Sequence, residues 1–326
     1  MPQKTVLAFL APGQGSQTPG MLADWLELPG AAQRIAAWSD ISGLDLARLG
    51  TTATADEITD TAVTQPLVVA ATLLAHEELV TRAPQDVDKT TIVAAGHSVG
   101  ELAAYAIAGV ISADEAVSLA AIRGAEMAKA CALEPTGMSA LLGGDEDEVL
   151  ARLDALDLVP ANRNAAGQIV AAGAVSALEK LAEDPPARAR VRRLATAGAF
   201  HTHYMASALT GYATVADQIT PSEPTVTLLS NADGRPVSSA ADAMSKLVAQ
   251  MTRPVRWDLC TATMRELFEQ ASAAGGASAI VEFPPAGTLT GIAKRELKGT
   301  PNHPIKSPAD LDGLAETFTS LSPPTS

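Results

Sequence analysis

A chain of 326 residues with 47% hydrophobic and 18% charged residues has the composition of a globular protein, large enough for one large or two smaller domains. Its formal net charge of −14 disfavours nucleic acid and anionic membranes as partners, because an acidic surface repels both. No apolar run approaches the ~20 residues that a membrane helix needs, and no basic segment with an apolar core precedes the first strand. We therefore expect neither a membrane span nor a signal peptide.

The two cysteines, Cys131 and Cys260, lie far apart and form no C-x-x-C pair. This spacing favours neither a metal-binding knuckle nor a disulfide framework, so we predict no metal site. Isolated thiols of this kind are most simply core residues of a protein that works in a reducing compartment. The composition thus predicts a cytoplasmic protein.

The predicted elements begin with a strand over residues 5–10, which leads into a glycine-rich loop over residues 11–17. Such a loop can cradle a phosphate, but this one has neither the Lys-Ser/Thr ending of a P-loop nor the G-x-G-x-x-G spacing. Helices are predicted next near residues 20–48, 54–60 and 65–80, and a short buried strand over residues 91–95.

The pentapeptide Gly96-His97-Ser98-Val99-Gly100 follows that strand and precedes a predicted helix. A serine between two glycines at a strand-to-helix turn is typical of a nucleophile elbow. The glycines remove β-carbons where the turn is tight, and the unpaired N–H groups of the new helix can stabilise an anion. We predict that Ser98 is catalytic; the alternative is a tight turn whose serine only caps the helix.

The segment from residue 134 to residue 200 has a different pattern. Its predicted order, β-α-β-β-α-β, is typical of a ferredoxin-like unit. The strands are predicted at residues 138–142, 159–161, 168–171 and 191–197, the helices at 145–156 and 176–183, and a turn-rich stretch at 162–167. We predict a small domain over residues 134–200, inserted into a larger α/β domain formed by residues 1–133 and 201–313.

The remaining elements belong to the predicted large domain. Strands are predicted at residues 226–230 and 279–283, and helices at 114–132 before the insertion and at 240–251, 257–274 and 288–298 after it. The last residues, 314–326, are rich in Ser, Pro and Thr and are predicted to form a tail.

A serine hydroxyl needs a base within hydrogen-bond reach, and the chain offers five histidines. We interpret His76, in an apolar helix, as structural, His303, between prolines, as solvated, and His97 as a residue that orders the elbow. His201 and His203 remain, at the end of the predicted insertion and hence near an interdomain cleft. Spacing alone does not choose between them, although His201 directly follows the loop and is favoured.

No acidic residue is obvious as the third member of a triad. Glu101 lies three residues after the serine, where it is expected to face along the elbow helix. A backbone carbonyl could orient the imidazole instead, because a histidine needs only an acceptor for its second N–H group.

Several short motifs occur in a fixed order along the chain. They are Pro12-Gly13-Gln14-Gly15-Ser16-Gln17, Gly96-His97-Ser98-Val99-Gly100-Glu101, Arg123 with Gly124 and Met127, Asn162, Gly198-Ala199-Phe200-His201, Ser230-Asn231, Pro254-Val255-Arg256-Trp257, and Gly287 with Leu289-Thr290-Gly291. The ordered set resembles the malonyl-CoA:acyl carrier protein transacylases of fatty acid synthesis over nearly the whole chain. This resemblance implies an α/β-hydrolase-like core with a parallel sheet and an inserted ferredoxin-like small domain.

The resemblance also implies roles for individual residues. Ser98 would be the nucleophile and His201 the general base, oriented by the backbone carbonyl of Gln250. Arg123 would hold the malonyl carboxylate, and the backbone N–H groups of Gln14 and Val99 would form the oxyanion hole. Three further residues, Met127, Asn162 and Phe200, would contribute to substrate binding. A phenylalanine before the base accompanies malonyl use in this family, since its ring fills the room of an α-methyl group.

The implied reaction moves a malonyl group from malonyl-CoA through a malonyl-serine to the phosphopantetheine thiol of acyl carrier protein. It has ping-pong kinetics, uses no cofactor and serves fatty acid synthesis, and a monomer is the expected state. The alternatives are a serine thioesterase or other hydrolase, a malonyl transferase dedicated to polyketide synthesis, and a non-enzymatic protein that binds the carrier.

An acidic carrier protein requires a local basic patch on this acidic chain. Two clusters are available: the β-cluster, Arg188, Arg190, Arg192 and Arg193, and the α-cluster, Lys294, Arg295 and Lys298. We expect one or both to contact the carrier; the alternative is a solvated charged face.

Two departures from the family pattern stand out. Gly198 replaces a histidine, which predicts looser packing there, and Pro285 and Ala286 replace a glycine and a bulkier residue.

Overall fold

A computed structural model describes residues 5–82 and 92–321, and the side chains among them up to residue 314. Its strands are β1 (Val6–Ala11), β2 (Ile92–Gly96), β3 (Thr136–Gly143), β4 (Val159–Ala165), β5 (Gln168–Ala174), β6 (Ala189–Arg193), β7 (Thr227–Leu228), β8 (Ser278–Glu282) and β9 (Asn302–Pro304). Its α-helices are α1 (Ala23–Leu26), α2 (Ala31–Ser42), α3 (Leu46–Thr51), α4 (Thr61–Arg82), α5 (Gly100–Ile107), α6 (Ala113–Cys131), α7 (Glu146–Ala155), α8 (Val175–Glu183), α9 (Ala206–Ala216), α10 (Ala240–Ala249), α11 (Trp257–Ala273), α12 (Thr288–Glu296) and α13 (Pro308–Leu321).

The larger sheet is parallel, with the strand order β7-β2-β1-β8-β9. Its central strand, β1, is apolar and buried on both faces, as expected for a parallel strand covered by helices on each side. The pairing register sets Ala11 beside Gly96, so β1 and β2 end at the same level. The loops that follow them therefore lie side by side at the carboxyl edge of the sheet, where α/β folds bind ligands.

The smaller sheet is antiparallel, with the strand order β4-β5-β3-β6. Its chain order is β3-α7-β4-β5-α8-β6, and the apolar faces of α7 and α8 share a separate core with the sheet through residues such as Leu141, Leu153 and Leu181. The segment just before α11 contacts the edge strand β4, where Val255 pairs with Asn162: the Val255 N–H donates to Ala161 O, and the Arg163 N–H donates to Val255 O.

Several predicted boundaries are wrong. The helical stretch predicted near residues 20–48 is divided into α1, α2 and α3: left-handed Gly30 (φ +84°) directly precedes α2, and left-handed Gly43 (φ +69°) ends it. The stretch predicted as a turn at residues 162–167 is mostly strand, since β4 continues to Ala165 through two register shifts. Thr91, predicted to begin the second strand, lies outside the described residues.

The chain end also differs from the prediction. Helix α13 runs to Leu321, so residues 314–321 of the predicted tail are helical, and residues 322–326 lie outside the described range. No helix in the described part of the chain is long and apolar enough to cross a membrane.

Two helices that pack face to face, α4 and α6, carry residues of the site. Most of α4 is buried, which agrees with its apolar composition on all sides. Gly124 of α6 lies directly against the first turn of α4: a β-carbon at this position would be 2.8 Å from the carbonyl oxygen of Thr61. The two backbones can approach this closely only because residue 124 has no side chain.

Candidate active site

Ser98 occupies the tight turn between β2 and α5. Its φ of +55° is left-handed, a strained conformation for a serine that is typical of functional sites. The flanking glycines are required by space. A β-carbon on Gly96 would lie 2.1 Å from the carbonyl group of Gly100, and one on Gly100 would lie 2.2 Å from Ala11 O. The segment from Gly96 to Gly100 therefore folds into a tight turn that places the Ser98 side chain above the end of β2.

The hydroxyl of Ser98 meets the imidazole of His201. Ser98 Oγ lies 2.7 Å from His201 Nε2, and His201 Nδ1 lies 2.9 Å from the backbone carbonyl oxygen of Gln250. Because a carbonyl only accepts, Nδ1 carries the proton and donates it to Gln250, which leaves Nε2 free to accept from the serine. His203, the alternative that spacing left open, is exposed and stacks on Tyr204 instead.

Burial and the charge of nearby Arg123 lower the pKa of His201 from 6.5 to about 3. The ring is 2% exposed and is neutral at physiological pH. A neutral imidazole with a free nitrogen beside a hydroxyl can take the hydroxyl proton, which is the requirement for a serine nucleophile.

Two backbone N–H groups beside the serine are free to bind an anion. In the part of the chain that the structure describes, the N–H groups of Gln14 and Val99 donate to no other group. Gln14 belongs to the loop after β1, and its side chain donates to Thr61 Oγ1 at 3.2 Å. Gln14 lies in the loop after β1 and Val99 in the turn after β2 that also holds Ser98, so both lie at the carboxyl edge of the sheet.

His97 connects the elbow with the smaller sheet. Its Nε2 lies 2.8 Å from Asn164 Oδ1 on β4, and its ring packs edge-on against Trp257. A β-carbon on Gly13 would lie 2.6 Å from His97 O. These contacts agree with the interpretation of His97 as a residue that orders the elbow.

Arg123 of α6 is 1% exposed, and its side chain is held by two amide oxygens. Its Nη1 donates to Gln65 Oε1 at 2.6 Å and its Nη2 to Gln250 Oε1 at 2.9 Å. Burial lowers the pKa of Arg123 from 12.5, but a guanidinium remains charged at neutral pH. Two of its five N–H groups are used by these bonds, which leaves three for a ligand with a carboxylate.

The side chain of Gln250 joins Arg123 to the elbow. Its Nε2 donates to the carboxyl group of Glu101 and to Ser98 O at 3.0 Å. Glu101 also accepts from the backbone N–H of Asn231, whose side-chain oxygen accepts from the Ser98 N–H at 2.9 Å. Burial raises the pKa of Glu101 to about 8. No hydrogen bond joins Glu101 to His201 among the described residues, so the imidazole is oriented by a carbonyl.

The other predicted binding residues lie near this network in different ways. Met127 is buried one turn after Arg123, and its sulfur accepts from Gln65 Nε2 at 3.4 Å. Asn162 is buried, and its Oδ1 has no hydrogen-bond partner in the structure. Phe200 is buried beside His201.

Packing at Gly198 is tight, which makes the expected looseness wrong. A β-carbon at residue 198 would lie 2.4 Å from Cys131 Sγ, so the cysteine occupies the space of a side chain.

Sequence reasoning missed the part played by Gln65, which it treated only as the start of an apolar helix. The sequence signal for this role was a polar amide in a run of apolar residues.

Among the described residues, no group of three or more His, Cys, Asp or Glu side chains is placed to hold a metal ion.

Comparisons with known proteins show the family of the chain. A family model described as an acyl transferase domain matches residues 8–310. The malonyl CoA-acyl carrier protein transacylase of Mycolicibacterium smegmatis is 79% identical over 294 residues, which cover 90% of this chain and 99% of that protein. The crystal structure of MCAT from Mycobacterium tuberculosis is 69% identical, has a TM-score of 0.90, and is matched over 95% of this chain and 99% of that one.

A further similar structure contains a carrier protein. It is a malonyl-transacylase in complex with its type II PKS acyl-carrier protein, 29% identical, with a TM-score of 0.84 over 96% of this chain and 99% of that chain. The matches cover 99% of each of these three relatives. The chain belongs to the acyl transferase family, among the malonyl CoA-acyl carrier protein transacylases.

Proposed function

We propose that this chain transfers a malonyl group from malonyl-CoA to the phosphopantetheine thiol of an acyl carrier protein. The observation that carries the proposal is the arrangement of three side chains. Ser98 is paired with the neutral imidazole of His201, and the buried guanidinium of Arg123 is joined to that pair through Gln250. This combination supplies a nucleophile, its base and a binding group for an acid.

In the first half-reaction Ser98 Oγ attacks the thioester carbon while His201 Nε2 takes the hydroxyl proton. The oxyanion that forms is bound by the N–H groups of Gln14 and Val99, each worth ~2.7–4 kcal/mol of transition-state stabilisation by analogy with other oxyanion holes. The carbon–sulfur bond then breaks, coenzyme A leaves as the thiol with the proton from His201, and a malonyl-serine remains.

In the second half-reaction the carrier thiol replaces coenzyme A. His201 Nε2 takes the thiol proton as the sulfur attacks the malonyl-serine, and the same N–H groups bind the oxyanion. The carbon–oxygen bond breaks, and Ser98 Oγ recovers the proton from His201. These steps use only groups of one chain, so we include neither a cofactor nor a second protomer and take the enzyme to be a monomer.

Arg123 binds the free carboxylate of the malonyl group. A planar guanidinium matches a carboxylate with paired hydrogen bonds, and the two glutamine amides hold the guanidinium plane in place. Phe200 limits the space at the α-carbon and favours malonyl over methylmalonyl, although one methyl group is worth only ~1–3 kcal/mol of discrimination. Met127 and Asn162 complete the acyl pocket, with Asn162 Oδ1 available to a donor on the substrate.

The architecture supports a division into an α/β-hydrolase-like core and an inserted ferredoxin-like domain. The strand order β4-β5-β3-β6, with α7 and α8 sharing its core, is that of a ferredoxin-like sheet. The nucleophile turn at the end of the parallel strand β2 supports the comparison with hydrolases. We place the small domain at residues 134–200 and the large domain at residues 1–133 and 201–313.

The carrier docks on exposed basic residues. Arg190 and Arg192 are exposed on β6, at the edge of the smaller sheet, and Arg295 of α12 donates to Gln168 of β5. Arg295 of the α-cluster thus lies against the smaller sheet. The free thiols of Cys131 and Cys260 suit a reducing cytoplasm, where fatty acid synthesis supplies the carrier. The similar complex with a type II PKS carrier favours polyketide synthesis as the second candidate.

The decisive experiment is mass spectrometry of the protein after mixing with malonyl-CoA. We expect an adduct of ~86 Da, the mass of a malonyl group, located on Ser98 and absent from Ser98→Ala. Rapid release of free malonate without any thiol acceptor would favour a hydrolase, and the absence of an adduct on the wild type would contradict acyl transfer through serine. Adding fatty acid and polyketide carriers in parallel distinguishes the two pathways.

Replacing Arg123 by alanine tests the binding of the acid. We expect acyl-enzyme formation from malonyl-CoA to fall about 100-fold and that from acetyl-CoA to fall less than about threefold, since only malonyl has a carboxylate for the guanidinium. Rates are measured by rapid quench and mass spectrometry. Equal losses with both thioesters would contradict the role of Arg123.

A further inference from the structure

The amide of Gln250 is bound on both sides by charged or ionisable groups. Its Oε1 accepts from Arg123 Nη2 at 2.9 Å, and its Nε2 donates to Glu101 and to Ser98 O. All of these side chains are buried. The amide is therefore the only link that joins Glu101 to Arg123 by hydrogen bonds among the described residues.

The carboxyl group at residue 101 is the ionisable acceptor among three that face Gln250 Nε2, the others being Ser98 O at 3.0 Å and Asn231 Oδ1 at 3.4 Å, and together they set which way this amide faces. Both oxygens of Glu101 are used as acceptors, one for the Asn231 N–H and one for Gln250 Nε2. A carboxyl group keeps lone pairs on both oxygens whether or not it is protonated, whereas an amide offers one acceptor and one donor. Rotating the Gln250 amide by half a turn would set its oxygen against Glu101 and its NH₂ group against the guanidinium, which only donates.

We propose that Glu101 is a positioning residue for acyl-group recognition: by holding the amide of Gln250, it directs Oε1 to Arg123 and fixes the guanidinium for the carboxylate of the substrate. The inference rests on the proposed function, because it assigns Glu101 to the recognition of the acid. Glu101 does not touch the reacting atoms. Burial raises its pKa to about 8, which agrees with a place inside the site but is not needed for the role.

The base is expected to be independent of this side-chain link. His201 is oriented by the backbone carbonyl of Gln250, and that carbonyl is held within a 3₁₀-helix over Gln250–Thr252, where it also accepts from the Arg253 N–H. Turning the side-chain amide leaves the carbonyl in place. A change at Glu101 should therefore weaken the recognition of the malonyl carboxylate more than the chemistry at Ser98.

The variant Glu101→Gln tests this separation. We expect the second-order rate of acyl-enzyme formation to fall about tenfold with malonyl-CoA and less than about twofold with acetyl-CoA, which lacks the carboxylate. The matched control is Glu282→Gln. Glu282 is equally buried, and it accepts from N–H groups at the start of α12, those of Gly287, Leu289 and Thr290. The control is expected to lose stability without changing the malonyl-to-acetyl ratio.

A double-mutant cycle tests whether Glu101 acts through Gln250. Gln250→Met removes the side-chain amide and keeps the backbone carbonyl for His201, so it should lower the malonyl-to-acetyl ratio like Glu101→Gln. In the Gln250→Met background, Glu101→Gln should change the ratio less than about twofold further, because the link is already broken. If the two substitutions lower the malonyl-to-acetyl ratio independently, so that their effects multiply in the double variant, the proposal is overturned.

Thermal unfolding of every variant separates recognition from folding. If Glu101→Gln fails to fold, Glu101→Asp is measured in its place. The shorter side chain draws the carboxyl group back from Gln250 by one methylene, and we expect the same fall in the malonyl-to-acetyl ratio. Equal losses with both thioesters, or failure of both variants to fold, would make Glu101 a purely structural residue and overturn the proposal. A wild type that forms no malonyl-serine would instead contradict the proposed function itself.

Discussion

At the scale of single residues, the site depends on groups that are fully removed from water. His201 is neutral because its burial is not offset by a carboxylate, and Arg123 stays charged because amide oxygens replace the lost water. Left-handed backbone at Ser98 and at His201, with φ values of +55° and +61°, turns the two side chains toward each other.

The buried imidazole predicts an unusual pH dependence of the acylation rate. Because the pKa of His201 is lowered to about 3, the neutral base persists far below the ordinary value of 6.5. We expect the rate of acyl-enzyme formation to stay level from about pH 8 to about pH 5. Single-turnover rates from malonyl-CoA across this range provide the measurement, and a fall centred near pH 6.5 would contradict it.

The same shift affects stability with a definite sign. A lowered pKa means that the unfolded chain binds the proton more readily, so the contribution of His201 is present above pH 6.5 and is lost as the pH falls toward 3. The wild type should therefore lose unfolding free energy relative to His201→Gln as the pH falls, which urea denaturation can measure.

The pairing of Ser98 with His201 was predictable from the sequence, and the network that supports this pair was not. The glycines around Ser98 need a special turn, and this need is visible in the residue types. His201 and His203 could not be separated by spacing, because a loop conformation decides which ring turns inward. Gln65 and Glu101 were hidden because their roles depend on packing between α4, α5 and the segment at Gln250, which lies far away in the sequence.

At the scale of elements, the helices and strands around the elbow approach so closely that their backbones nearly touch. This closeness fixes the position of the N–H groups at the start of α5 relative to the loop after β1.

Element types were mostly predictable from periodicity, whereas the division of residues 20–48 into three helices depended on left-handed glycines that periodicity does not reveal.

A single methyl group at the elbow should be enough to disrupt it. In Gly100→Ala the new β-carbon would meet the backbone of Ala11, which has no freedom to move, so we expect a loss of at least about 3 kcal/mol of unfolding free energy. The matched control is Gly291→Ala in α12, where the β-carbon meets nothing within 4 Å.

For the control we expect a gain of roughly 0.5–1 kcal/mol, because alanine is the better helix former. Urea denaturation measures both variants. Similar stability for the two alanine variants would show that the elbow can relax.

At the scale of the whole molecule, an acidic protein has to receive an acidic carrier. The net charge of −14 repels such a partner at a distance, so we propose that docking depends on the local β-cluster and α-cluster. The sequence located these clusters, but their position relative to the sheets required the fold.

Charge reversal within each cluster tests carrier docking. We expect Arg190→Glu with Arg192→Glu, or Lys294→Glu with Lys298→Glu, to slow malonyl transfer to the carrier about tenfold at low salt and to flatten its salt dependence. Lys180→Glu, an exposed lysine of α8 outside both clusters, is the matched control. Unchanged salt dependence in both cluster variants would mean that these residues are only a solvated face.

The contact at Gly124 has a consequence for which acids the enzyme accepts. Thr61, which Gly124 touches, lies one turn of α4 before Gln65, and Gly124 follows Arg123 directly, so one interhelical distance also sets the bond between Gln65 and the guanidinium. A larger residue at position 124 would separate the helices and loosen this anchor without touching any substrate atom. Under the proposed role of Arg123, the acyl group that fits therefore depends partly on how closely two main chains can lie.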